Sequence, residues 1–562
     1  MITPVTIEKE LVMQRDIFKP TLLSLVIAQS LLTACSPSPS NSRDTSPATP
    51  VIASPTPMVA APAMMMDAAA MSKMARYSPI MPIPMPRQQD NSEKYQHLAV
   101  NPIHQTATDA VATFSIDTDT GSYANVRRFL SDGQLPPTDA VRIEELINYF
   151  NYDFSQAKRL ANAPFLVSTE TVAAPWRTAN RIIKVAIKAD DPTITKQSAL
   201  PPANLVFLVD VSGSMSDNDK LPLVKSSLKM LSKQLRAQDT ISIVTYAGHT
   251  QVTLPATKGS DTDKILAAID SLNASGSTNG EAAIKLAYQQ AKIHYKKDGI
   301  NRILMMTDGD FNVGVSDVDE MLDIIRRERD SGVSLSTFGF GEDNLNDHMM
   351  EQVADNGNGN YSYIDSLSEA KKALVDEMSA TFNTVAKDVK VQVEFNPHTV
   401  KEWRLIGYEN RVLAKEDFNN DKVDAGELGA GKSVVALFEI TPVGQQGWLD
   451  DSRYQAHPIN HTGKNTELGF LKLRYKAPNS NISTLLTLPI SNQTQQPSSE
   501  LAFALSVASF GETLKQSKYL GNWQLNDSKR LAQANIGNDP QGIRREFIKL
   551  IDLADSLQPS KK

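Results

Sequence analysis

Five oxygen-bearing side chains in three separate loops are the residues of this sequence best suited to chemistry. They are Asp210, Ser212 and Ser214 in Asp210-Val-Ser-Gly-Ser-Met215, then Thr278, then Asp308. Hard divalent cations take oxygen ligands, and Mg²⁺ takes six in near-octahedral array, few of them carboxylates and several of them waters. Three hydroxyls and two carboxylates, one of the latter acting through water, leave a coordination position free. A cation held by so few negative groups stays electrophilic and accepts a carboxylate from another molecule as its last ligand. Helix capping by the serines and strand termination by Asp308 would explain each loop singly. Neither explains why three loops should converge.

The elements that position these groups are legible as apolar runs. Leu205-Val-Phe-Leu-Val209 is continuously apolar, as a parallel strand covered on both faces should be, and Asp210 is the first residue to leave it. Ile303-Leu-Met-Met-Thr307 delivers Asp308-Gly-Asp310 in the same way. In an open parallel sheet the carboxyl ends of the strands share one edge, and ligands bind there. Gly213 permits a tight turn before a helix predicted over 221–236, and Thr278 lies in Ser275-Gly-Ser-Thr-Asn-Gly280, a small-residue loop that opens another helix near Glu281. Strand runs recur at Leu205, Ile241, Ile303 and Val333, with helical segments near Leu221, Lys264, Glu281, Val318 and Asn346 between them. This alternation predicts an α/β fold with a doubly wound, mostly parallel, Rossmann-like sheet.

The set Asp-x-Ser-x-Ser, distant Thr and distant Asp resembles the metal-ion-dependent adhesion site of von Willebrand factor type A domains. The resemblance implies that Ser212, Ser214 and Thr278 bind Mg²⁺ or Mn²⁺ directly, and that Asp210 and Asp308 act directly or through water. The segments Phe114 to Phe129, Thr307 to Gly314 and Glu416 to Glu427 look like those of a bacterial lipoprotein group. In that group a type A domain sits between a family-specific amino-terminal region and a carboxy-terminal extension. The likeness covers most of the chain after about Asn101.

Composition and the amino terminus bound the setting. The 562 residues are 41% hydrophobic and 22% charged, with a net charge of -7, enough for two or three cores and too acidic for a nucleic-acid binder without a basic stripe. Arg15 and Lys19 precede an apolar stretch over 22–32 that is short for a membrane span and runs into Leu32-Thr-Ala-Cys35. That reads as a lipoprotein signal, residues 1–34. Its resemblance to bacterial lipoboxes implies cleavage before Cys35 and acylation of the thiol; Met13 is an alternative start. Ser36 after the cysteine favours the outer over the inner membrane, facing periplasm or surface. Cys35 is the only cysteine, so no intramolecular disulfide forms. Residues 35–95, rich in Pro, Ser, Ala and Met, are expected to be a tether reaching on the order of 40 Å or more.

Two folded regions should flank the type A domain of 201–385. An α+β region over 96–200 has a strand near Phe114, helices near Tyr123 and Ile143, and strands over 165–188. Asp117 and Asp119 with Gly121 invite a calcium-loop reading, but without the later acidic ligand of an EF-hand a turn with a helix cap is expected. The extension over 386–562 should be β-rich over 388–495 and helical over 499–557, with Ile543, Phe547, Leu550 and Ile551 on one apolar stripe. Asp417, Asn419, Asp421 and Asp424 are expected in a solvated hairpin loop.

These features describe a membrane-anchored binding protein, not an enzyme, whose metal grips an Asp or Glu of a protein partner. A metal-assisted hydrolase would need a base beside the metal; His249 and His348 sit in no catalytic signature, and Asp310 and Asp217 could act as bases but on these loops are more simply turn residues or outer-shell partners. An envelope assembly factor working with a chaperone or ATPase would share the metal site and differ in its partner.

Overall fold

Alternation along strand Ala203–Asp210 organises the centre of the molecule. Leu205, Phe207 and Val209 pack on one face with Leu221, Val224 and Leu228. Val206 and Leu208 pack on the other with Ala283, Ile284, Met321 and Ile325. With helices on both faces, every residue of the strand is buried, hence its unbroken apolar run. The sheet runs Tyr361–Ile364, Ser334–Phe340, Ile300–Thr307, Ala203–Asp210, Thr240–Tyr246, Thr250–Lys258 from edge to edge. All neighbours are parallel except the last pair. The four predicted strands form the middle, and the structure adds the two edges. Thr250–Lys258 is half-exposed and mixed in polarity, and Tyr361–Ile364 has four residues, so neither carries an apolar run.

The computed structural model describes residues 92–191, 200–276, 280–309, 318–450 and 465–558. The signal, Cys35, the tether up to 91, Thr278 and Asp310 lie outside the described residues, all of which belong to one compact unit, 86–562, of the two into which the chain divides. The last four residues of the expected tether are not free chain: the Ser92 amide donates to Asp343 O and the Lys94 amide to Leu345 O, both at 2.8 Å, so the folded part begins there. Among the described residues no helix is long and apolar enough to cross a membrane.

Residues before and after the central sheet fold together. Arg177–Ala189 pairs antiparallel with Ser433–Pro442, and Val111–Ser115 pairs with Thr384–Phe395, so each of two further sheets draws strands from both flanks. Val389–Phe395 and Ser433–Ile440 are antiparallel strands as predicted, but in different sheets. Ile183, Val185 and Ile187 face the second sheet across a core with Val391, Val393 and Leu471. Ile182 and Ala186, of opposite parity, face helices Ile143–Asn148 and Ser499–Leu514 in another core. The predicted stripe of the last helix docks there: Phe547 lies within 5.3–5.7 Å, ring to ring, of Phe150, Phe503 and Phe510 in edge-to-face pairs.

The flanks join the central domain through buried charge. Arg142 pairs with Glu145 and Asp347, and Arg411 reaches Asp117, Asp119, Glu351 and Asp355. The Asp119 amide donates to Asp117 Oδ1 at 2.8 Å, so the predicted turn forms. The helix behind it, Gly121–Ser131, has Thr120 at its cap with no side-chain cap bond. The two aspartates serve Arg411 in place of capping the helix.

Candidate metal-binding site

Asp210 and Asp308 leave adjacent strands, Ala203–Asp210 and Ile300–Thr307, on the side where the strand order reverses. This is the topological switch point, where diverging loops open a crevice at the carboxyl edge of the sheet. Both carboxylates are fully buried. The amide of Ser212 donates to Asp210 Oδ1 at 2.9 Å, and the Thr307 hydroxyl donates to Oδ2 at 3.0 Å. The same hydroxyl accepts the Gly309 amide at 3.1 Å, tying the two loops together. Gly309 has φ +89, and a Cβ there would stand 2.5 Å from the Asn346 backbone nitrogen, so only glycine lets the Asp308 loop lie this close.

Ser212 and Ser214 turn their hydroxyls toward each other, Oγ to Oγ 3.0 Å, across a single turn at Gly213–Ser216. Neighbouring oxygens of an octahedral shell with metal–oxygen distances near 2.1 Å are about 3 Å apart. The spacing therefore fits two cis ligands of such a cation, and the hydroxyl and carboxylate donor set fits a hard one. The Gly213 amide donates to Gly276 O at 2.9 Å and the Ser275 amide to Val211 O at 2.7 Å. These bonds hold the loop leading to Thr278 against the serine loop; Thr278 itself lies outside the described residues.

Sequence reasoning missed Lys220 and Asn344. The Lys220 ammonium lies 3.2 Å from Asp308 Oδ2 and donates to Asn344 Oδ1 at 2.9 Å, while Asn344 Nδ2 donates to the same Asp308 oxygen at 2.9 Å. Lys220 is buried, its stem pressed against Gly341, where a Cβ would meet Lys220 Cε at 2.3 Å. Burial pushes the Asp210 carboxyl up to about 6, helped by the charge of Asp308 and opposed by the Ser212 and Thr307 hydrogen bonds. A cation held at this edge would relieve that penalty. No motif marks Lys220 or Asn344, since each earns its place through residues far away in sequence.

A second set of carboxylates, Asp117, Glu145 and Glu351, brings ligand oxygens within 4.8 Å of one another at the junction between flanks and centre. Arg142 and Arg411 already thread this set. It reads as an ionic joint.

The von Willebrand factor type A domain model matches residues 204–377, a model described as von Willebrand factor matches 89–184, and the model "Uncharacterized protein YfbK, C-terminal" matches 380–557. The protein YfbK of Escherichia coli (strain K12) is 50% identical over 470 residues, covering 83% of this chain and 81% of that one. The protein sll0103 of Synechocystis sp. is 27% identical over 354 residues, 61% of this chain and 78% of its own. A solved von Willebrand factor type A structure from Catenulispora acidiphila has 13% identity and a TM-score of 0.40, covering 72% of this chain and 91% of that chain.

Proposed function

Because the chain belongs to the bacterial YfbK family of von Willebrand factor type A proteins, with that family's carboxy-terminal domain, we propose that it is a metal-dependent binding protein that grips a carboxylate of a protein partner. The type A domain carries a protein-interaction or adhesion role. The observation that supports the finer reading is the meeting of Asp210, Ser212, Ser214 and Asp308 at the switch point, with hydroxyls at cis-ligand spacing.

Ser212, Ser214 and Thr278 hold the cation through neutral oxygens, and Asp210 and Asp308 supply its negative charge. Bound there, Mg²⁺ or Mn²⁺ supplies a Lewis-acidic position for an Asp or Glu of the partner. The Ser212 amide and the Thr307 hydroxyl fix both oxygens of Asp210, so its carboxylate does not have to reorient on binding. Asn344 and Lys220 both meet Oδ2 of Asp308, the amide orienting the carboxylate and the ammonium limiting the local charge before a cation enters. Anchoring through acylated Cys35 to the bacterial envelope, with the outer membrane favoured, is part of the same proposal.

Calorimetry of wild type and Asp210→Ala with Mg²⁺, Mn²⁺ and chelator tests the site, with binding expected for wild type alone. A partner captured from solubilised membranes should be released by chelator; retention in chelator and by Asp210→Ala refutes the reading. Acyl labelling of wild type and Cys35→Ala tests the anchor, and equal labelling and membrane retention of both refutes it.

A further inference from the structure

Tryptophan is the scarcest large side chain here, four in the chain, and three of them line one open hollow of about 450 Å³. Trp176 lies in the turn before strand Arg177–Ala189, Trp448 follows strand Ser433–Pro442, and Trp523 precedes helix Leu525–Ala534. The fourth, Trp403, is buried between Phe395 and His104. The walls of the hollow are two perpendicular aromatic pairs: Trp176 and Trp523, 6.2 Å apart at 80°, and Trp448 and Tyr519, 5.4 Å apart at 84°. Every lining residue lies outside the type A domain, so nothing assigned to the metal site accounts for them.

The polar atoms of these rings are mostly committed to the interior. Trp176 Nε1 donates to Glu439 Oε2 at 3.2 Å, Trp523 Nε1 to Ser528 Oγ at 2.9 Å, and the Tyr519 hydroxyl to Asn101 O at 3.4 Å. The bonds lock the rings in place, leaving ring carbon as what they offer the hollow. Hydroxyl-bonding capacity is supplied around them instead, by Arg177 and Asn522 and by the remaining lone pairs of Asp527, whose oxygens already accept the Gln524 amide and Arg530. Arg177 is held by Gln446 O at 2.9 Å and Gly447 O at 3.2 Å, with its guanidinium 4.0 Å from the Trp448 ring centre.

This arrangement discriminates among ligands. A cation is disfavoured, because Arg177 already covers Trp448 and Arg404 lies 4.2 Å from the Tyr519 ring centre. A proline-rich peptide docks in an aromatic groove whose ring N–H groups reach its carbonyls. Here those of Trp176 and Trp523 are spent inward and that of Trp448 is buried, so the peptide's donors would be Arg177 and Asn522 alone and it is the competing ligand of the test. A sugar ring fits both properties: its C–H face stacks on ring carbon, and its hydroxyl rim meets the guanidinium, amide and carboxylate. The volume falls in the usual range for small-ligand sites, and the open side lets a longer glycan run on into solvent.

We infer that this hollow, bounded by Trp176, Trp448, Tyr519 and Trp523, is a carbohydrate-binding site for neutral oligosaccharides, separate from the metal site. The test titrates the full chain with chitotriose, cellotriose, maltotriose and a proline-rich peptide, following intrinsic tryptophan fluorescence and saturation-transfer NMR. At least one oligosaccharide is expected to shift the emission and receive saturation, with chelator making no difference. Trp176→Ala should weaken it at least tenfold. Asn522→Phe, a change at an exposed position that fills the hollow without touching the locked rings, should do the same with thermal melting unchanged, and it decides the matter if Trp176→Ala does not fold. No binding by any of the three oligosaccharides, equal binding to Asn522→Phe, or binding of the peptide in their place overturns the inference.

Discussion

The sheet edge and the ionic joint both bury carboxylates, and they neutralise them in opposite ways. At the edge, among the described residues, Asp308 is met by a lysine at 3.2 Å and by the Asn344 amide, and Asp210 by hydroxyl and amide donors. At the joint, Arg411 alone reaches four carboxylates, and Arg142 makes three contacts at the same place, with Glu145, Asp347 and Glu351. Lysine is a compact charge on a flexible stem, whereas guanidinium is a planar fork that fits several oxygens at once. A cluster closed by arginine forks is a fastening. One met by an ammonium, beside two serine hydroxyls paired only with each other among the described residues, is the kind of cluster the proposed function needs, where one cation can replace another.

The largest expected effect breaks the fastening. Arg411→Ala leaves Asp117, Asp119 and Glu351 buried beside an empty space, and should lower unfolding free energy by about 3–5 kcal/mol in denaturant titrations. If it costs no more than Lys220→Ala, the distinction between the regions collapses. Next, Mg²⁺ at a hundredfold excess over its dissociation constant should stabilise wild type by about 2.7 kcal/mol and leave Asp210→Ala unchanged, as differential scanning calorimetry would read.

The third test is pH. Burial pushes the Glu144 carboxyl up to about 7, with the charges of Glu409 and Asp117 adding to it and the Tyr408 amide opposing. The folded state therefore holds a proton that the unfolded chain releases near its ordinary value. Stability from this group is complete below about pH 4.3 and is lost as pH rises through about 7. Among the described residues Glu144 Oε1 has no hydrogen-bond partner, so Glu144→Gln should stabilise the protein at pH 8 by about 2 kcal/mol and do little at pH 4. A stability curve of unchanged slope in the variant refutes this account. Smallest is Lys220→Met, which removes the competing ammonium and should tighten Mg²⁺ binding on the order of tenfold by calorimetry. Weaker binding would make Lys220 a support for the site instead of a rival to the metal.

The contrast also explains what could be read in advance. Asp210, Ser212 and Ser214 share five residues of chain behind an unbroken apolar strand, so motif and element announce each other. Arg411 and Asp117 carry no such signal, because each gains meaning only when segments 294 residues apart meet. Lys220 was hidden for the same reason, its partners lying 88 and 124 residues on. The stripe of Phe547, Leu550 and Ile551 was legible because helical period alone defines it. Pairing of Arg177–Ala189 with Ser433–Pro442 was not, since nothing local in either run names its partner.

That pairing has a consequence in time. Lys188 and Gly431, in contact in the finished sheet, are 243 residues apart in the chain. At a synthesis rate of about 5–20 residues per second, Arg177–Ala189 waits roughly 10–50 s after it is made before its neighbour exists. During that interval a thirteen-residue strand offers one unpaired edge to any other chain nearby. The central domain can complete itself in the meantime, so the newborn protein passes through a stage with a finished middle and an open seam.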